Sequence, residues 1–219
     1  MPLPSRLLAL RLLPVVAALC ATSAHAADAY VATGFPYLVV GVAQPVAPSI
    51  TLRADWGTVG HHSYSGSTSD NDYSGQLKYD RFALLADWFA IGGFRLTGGV
   101  TFNHGSTDLY ATSRNSEITI GGVVYHYTGD VTSTVTLPKT TPYLGLGWGR
   151  PQSSEPGFSF HADLGVAFGK PEATALKAEG QVAQFVTATD LAEENRRFQD
   201  GVNKVKGLPQ LTLGASYRF

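Results

Sequence analysis

Phe158-Ser159-Phe160-His161-Ala162-Asp163-Leu164-Gly165-Val166-Ala167-Phe168-Gly169 alternates over its whole length. Phe158, Phe160, Ala162, Leu164, Val166 and Phe168 share one parity, and Ser159, His161, Asp163, Gly165, Ala167 and Gly169 share the other. A period of two puts these sets on opposite faces of a β-strand. The run is too regular for a helix and too long for an ordinary soluble strand, which centres near 5–6 residues.

The same pattern recurs on both sides. Phe94–Asn103 alternates apolar or Gly with polar or Gly, as do Ile50–Gly57, Tyr143–Trp148 and Leu211–Phe219. In Ser74–Phe89, Leu77 and Tyr79 fall on one parity and Phe82, Leu84, Ala86 and Trp88 on the other, which predicts a β-bulge near Asp80-Arg81. Strands are expected at Ala29–Thr33, Tyr37–Ala43, Ile50–Val59, Ser74–Phe89, Phe94–His104, Val131–Gly149 with a break near Pro138, Phe158–Gly169 and Leu208–Phe219. The expected fold is all-β: a closed antiparallel transmembrane β-barrel of about eight strands with one short loop helix.

Two features favour a lipid-facing barrel over a sandwich. Aromatic residues bracket the apolar stripes. Phe94 to Phe102 covers about 26 Å of strand, and at a tilt near 40° it and Phe158–Phe168 rise ~20 and ~25 Å, against a membrane band of about 25 Å. Trp56, Trp88, Phe94, Phe102, Trp148, Phe158, Phe168 and Tyr217 are expected in two girdles, with Phe89 beside them. Connections also sort by length: short at Gln44–Ser49, Ala90–Gly93 and Arg150–Pro156, long at Gly60–Tyr73, Gly105–Asp130 and Lys170–Lys206. Outer-membrane barrels pair short periplasmic turns with long outside loops.

Composition agrees. Of 219 residues, 15% are charged and 24 are Gly, which suits strands and tight turns. A formal net charge of −1 and the lack of any Lys/Arg run argue against nucleic acid. Residues 1–26 read as an export signal: Arg6 and Arg11, an apolar core Leu12–Ala21, and Ala24-His25-Ala26 before the cut. A lipoprotein signal ending at Cys20 is disfavoured by Leu19. The barrel domain is then 27–219, without cysteine and without disulfides.

Leu211-x-Leu213-x-Ala215-x-Tyr217-Arg218-Phe219, Pro142–Gly149 and Ala86-Asp87-Trp88-Phe89 with Gly93–Gly99 resemble segments of the small bacterial outer-membrane β-barrel proteins of the OmpA/OmpX type. The resemblance implies an outer-membrane location, contact with outer-membrane lipid and lipopolysaccharide, and recognition of the terminal Phe219 by the barrel-assembly machinery.

With the apolar faces on lipid, the inward faces carry Arg53, Asp55, Lys78, Arg81, Asp87, Arg95, Asn103, His161, Asp163, Gln210, Ser216 and Arg218. An eight-strand barrel is just wide enough for its own side chains, so a filled, ion-paired interior is expected. Ser159-x-His161-x-Asp163 has the residue types of a catalytic triad, but same-strand neighbours two apart sit about 6–7 Å from each other. His61-His62, with Asp70, Asp72 and His104, lacks a metal-ligand spacing. No cofactor, metal or catalytic residue is expected. Glu117–Tyr127 reads as a hairpin around Gly121-Gly122, extending the wall. Asp190 reads as the N-cap of a helix to Asp200. The expected role is structural or surface contact through the loops, with the extracellular ligand open. The alternatives are a narrow channel for small solutes and a lipid A or phospholipid-modifying enzyme.

Overall fold

Strands form where the alternation is strongest, and the chain reverses where Gly, Pro and Ser break it. The computed structural model describes residues 27–67, 71–113, 116–149 and 155–219. The expected export signal, 1–26, lies outside these residues. In chain order the elements are β1 (Asp28–Phe35), β2 (Leu38–Ala47), β3 (Ile50–Ser67), β4 (Asn71–Ile91), β5 (Phe94–Ser113), β6 (Ile118–Ile120), β7 (Val123–Tyr125), β8 (Gly129–Thr136), β9 (Thr140–Trp148), β10 (Gly157–Phe168), β11 (Glu172–Ala173), β12 (Lys177–Gly180), a 3-10 turn (Val182–Gln184), α1 (Ala188–Asn203) and β13 (Gly207–Arg218).

Eight crossings pair antiparallel around a ring: β1–β2–β3–β4–β5–β9–β10–β13 and back to β1. The short β1, read from sequence as Ala29–Thr33, pairs along its whole length with β13. The break expected near Pro138 separates β8 from β9, and both pair with β5. Proline has no N–H to give the ladder there.

β3, β4 and β5 run 18, 21 and 20 residues. At ~3.3 Å per residue and a tilt near 40°, β4 rises ~50 Å, about twice the membrane band. Their upper halves therefore stand outside as a free wall, continued by β8 and edged by β11 and β12. The sequence places the tops of these strands too low, at Val59 and His104. Along the wall the strand residues are mostly small and polar, and the hydrophobic alternation that marks a strand fades.

Two expectations about local geometry are corrected. No bulge interrupts β4 at Asp80-Arg81. The register shift lies across from it in β3, between Thr58 and Gly60. Odd residues of β4 face inward without a phase change, so Tyr79 is buried inside and Leu77 packs against it there. The misreading equates apolar with lipid-facing, whereas the upper interior is itself aromatic and aliphatic. The hairpin at Gly121-Gly122 is present, with both glycines at positive φ (65° and 84°) as a tight turn requires. It does not extend the wall. β6 and β7 form a separate two-stranded sheet, and Ile118 and Ile120 are fully buried against Val131 and Val182 in a small core of their own.

α1 begins earlier than expected and is capped by Thr187, whose side chain accepts from the Asp190 backbone N–H at 3.1 Å. Asp190 sits in the first turn, where a carboxylate favours the helix dipole.

Candidate functional site

The outward residues of the ring are apolar and exposed. Leu52, Leu84, Leu96, Leu146, Leu164 and Leu213 show 41–62% of their surface. A continuous belt of this kind, on a protein with a charged interior, needs an apolar medium around it. The girdle residues sit at its two margins. Trp88, Phe94, Trp148, Phe158, Tyr217 and Phe219 are exposed near the short-turn end, with Phe94 opposite Trp148 and Phe158 opposite Tyr217. Trp56 lies opposite Phe82, and Phe82 stacks on Phe102 with centroids 6.3 Å apart at the upper margin, where Phe168 is also exposed. Phe89 departs from the expectation. It shares the inward parity of Asp87, and the Arg95 guanidinium lies 5.9 Å from its ring.

Inside, the charged residues meet from different strands. Asp163 of β10 accepts from Arg95 of β5 at 2.8 and 2.9 Å and from Arg53 of β3 at 3.3 Å. Asp87 of β4 accepts from Arg53 at 3.0 Å and from Thr97 at 2.7 Å. Arg53 Nε also lies 2.7 Å from Asp87, close in charge but poorly aimed for a hydrogen bond. One layer up, Arg81 donates to Asp55 at 2.8 Å and Gln210 at 2.7 Å, and the Tyr30 hydroxyl donates to Asp55 at 2.9 Å. At the lower mouth Arg218 grips Asp28 at 2.6 and 2.7 Å. Four arginines thus face four aspartates, all with side chains no more than 15% exposed where paired. Alternation explains the placement: each charge stands one residue from a lipid-facing neighbour, so the closing ring turns them all to one axis.

An aromatic layer lies above the charges. Tyr37 stacks on Tyr79 with centroids 5.9 Å apart, and the Arg81 guanidinium is 4.6 Å from the Tyr37 ring and 5.9 Å from that of Tyr143. Asn103 then links Tyr79, Thr141 and the Pro138 carbonyl. Interior cavities of about 20 and 40 Å³ interrupt this packing beside Arg53, each with room for one to three waters.

Of the residues expected inside, Arg53, Asp55, Arg81, Asp87, Arg95, His161, Asp163, Gln210 and Arg218 are buried there. Asn103 and Ser216 face the same interior half-buried. Lys78 does not belong to the set. It is an even residue of β4 and stands exposed on the outer face above the belt. Sequence reasoning does not reach Asp28, Tyr30, Tyr37, Tyr79 and Tyr143. The available signal is a glycine next to the ring. Gly41 pairs with Tyr30, and a Cβ on it would stand 2.6 Å from that ring. At Gly165 a Cβ would come within 2.2 Å of the Tyr143 hydroxyl.

Ser159, His161 and Asp163 are engaged separately. Ser159 bonds Ser216 at 2.8 Å, His161 meets Tyr30 edge-on at 5.5 Å, and Asp163 is held by arginines. Among the described residues no group of His, Cys, Asp and Glu is placed to hold a metal ion. Asp70 lies outside the described residues.

Outside the membrane band, α1 and the 3-10 turn close the upper wall. Tyr125 and Thr187 donate to the Asp190 carboxylate, and these hydrogen bonds hold its pKa below the usual range. Glu193 is lowered in the same way by Arg196 and Arg197. A cavity of about 180 Å³ lies between the wall residues Tyr64, Tyr73 and Leu109 and the lid residues Ile118, Glu194 and Phe198.

No protein-family model matches this sequence. No curated protein matches it by sequence. Solved structures do match it in fold. CarO2 from Acinetobacter baumannii is similar over 89% of this chain and 99% of its own, at 16% identity and a TM-score of 0.65. CarO from the same organism is similar over 89% and 97%, at 17% identity and a TM-score of 0.62. A major outer membrane protein from Thermus thermophilus is similar over 90% and 100%, at 15% identity and a TM-score of 0.42. The CarO likenesses carry the β-barrel fold and do not single out the OmpA/OmpX type. The chain therefore has the fold of an eight-stranded antiparallel β-barrel shared with CarO and CarO2.

Proposed function

We propose that this chain is a non-enzymatic, non-conducting outer-membrane anchor that holds a rigid module above the cell surface for structure or contact. The observation that carries this reading is the balanced arginine–aspartate network across the lumen, from Arg218–Asp28 at the lower mouth to Arg81–Asp55 beneath the aromatic layer. A solute passing through would have to separate buried ion pairs, each costing several kcal/mol. The exported chain contacts outer-membrane lipid and lipopolysaccharide through the apolar belt, and the barrel-assembly machinery reads the exposed terminal Phe219. The module is the raised wall of β3, β4, β5 and β8 with its buried Ile118–Ile120–Val182 core and α1. Planar-bilayer recording tests the reading. Flat current is expected from folded protein, and a steady nanosiemens-scale channel would overturn it.

A further inference from the structure

On the outer face of β3, β4 and β5 the chemistry changes within two residues. The row Trp56, Phe82, Phe102 is aromatic. The next outward row is Thr58, Asp80, His104, and the one above it pairs Lys78 with Ser106 and Ser106 with Thr136. At ~3.3 Å per residue and a tilt near 40°, Lys78 leaves the strand ~10 Å above Phe82, at headgroup depth. Between β8 and β9 the chain stays tied to β5, with the Leu137 N–H donating to the Gly105 carbonyl at 3.4 Å and the Asn103 N–H to the Lys139 carbonyl at 2.8 Å, and exposed Lys139 joins the same surface. The result is a recess of about 560 Å³ lined by Trp56, Thr58, Lys78, Asp80, His104 and Lys139.

Its charge is unusual for this protein. The interior arginines all have aspartate partners, whereas among the described residues neither Lys78 nor Lys139 has an ion-pair partner. Asp80 is the one acid lining the recess, against two lysines and a histidine. The next outward acid, Asp108, accepts from Thr134 at 2.9 Å. Long lysine stems lying over an aromatic margin carry their ammonium groups into the headgroup layer.

We propose that this recess binds the phosphate of a phosphorylated outer-leaflet lipid, with Lys78 and Lys139 as its cationic contacts and Trp56 against the sugar or upper acyl region. The proposal rests on the membrane-barrel reading above and adds a specific site to it. The test is native mass spectrometry on folded protein in detergent, with bis-phosphorylated lipid A and dephosphorylated lipid A as probes. Wild type is expected to prefer the phosphorylated lipid. Lys78→Gln with Lys139→Gln is expected to bind it about 30-fold more weakly, at roughly a five-fold loss for each surface cation. Lys177→Gln, on the extracellular edge strand β12, is expected to change nothing. Excess inorganic phosphate is expected not to displace the lipid. No preference for the phosphorylated form, unchanged binding in the double variant, or displacement by inorganic phosphate would each overturn the proposal. Heat-modifiable gel migration and bilayer recording report on the barrel separately, so a folded, silent barrel without lipid preference rejects the recess alone.

Discussion

Asp163→Ala is the most informative change to the interior. Asp163 takes bonds from two guanidiniums, Arg95 at 2.8 Å and Arg53 at 3.3 Å, with side chains 7–9% exposed. Its removal leaves Arg53 and Arg95 sharing Asp87, which lies 2.7 Å from Arg53 Nε but 3.4 Å from Arg95 Nε. The network then carries one uncompensated positive charge in a closed interior. At an effective dielectric near 20, one such pair is worth ~4 kcal/mol of attraction. Breaking a buried pair from one side costs about 3–5 kcal/mol, because the remaining charge keeps its desolvation penalty. Urea titration in lipid vesicles, followed by tryptophan fluorescence, is expected to show a loss in that range. Arg95→Ala alone is expected to cost a similar amount. The double variant, with the charges again balanced, is expected to fall short of the sum by ~1–3 kcal/mol. A loss below ~1 kcal/mol, or costs that add within ~0.5 kcal/mol, would refute the claim that these charges act as one buried unit.

Leu164→Arg puts a charge on the lipid face near the middle of the belt, beside Leu146 and Leu211, and is expected to cost ~2–4 kcal/mol in the same titration. The loss should vanish for the same change at Ser106, above the belt. Gly165→Val drives a side chain into the Tyr143 ring, since even a Cβ would stand 2.2 Å from the hydroxyl, and is expected to abolish the heat-dependent gel shift. Acid should loosen α1 first. The Asp190 and Glu193 pKa values are depressed in the folded state, so their contribution is full above the ordinary carboxylate range near pH 4 and is lost as pH falls through their folded values. Hydrogen exchange is expected to show α1 amides deprotected well below about pH 4 while β10 stays protected. Tyr125→Phe removes the main cause of the lowering at Asp190 and should move that loss to higher pH. An unmoved profile in Tyr125→Phe would count against the lid contact.

The legible part of the fold is the part immersed in a single medium. Phe158–Gly169 states its two faces because lipid lies on one side and buried charge on the other. Arg53, Asp87 and Asp163 are findable for the same reason, since a charge inside an apolar alternation has nowhere to go but the axis. Legibility fails where the medium changes. Lys78 follows the inward parity of a bulge that β4 does not have, and Leu77 and Tyr79 look lipid-facing because the upper lumen is also apolar. The raised wall leaves little trace in Ser63–Ser67, where every residue is exposed. Thr187 is hidden as a cap because Asp190 offers an equally good one three residues later.

The ring is fastened by partners far apart in the chain. Asp28 and Arg218 clasp across the β1–β13 seam, and the Phe219 N–H reaches the Ala27 carbonyl at 3.2 Å. Until β13 exists, β1 and β10 are bare borders with rows of unsatisfied amides, a hazard in any aqueous compartment. The last strand therefore closes both borders at once, and the ring gains its seam only when β13 meets β1.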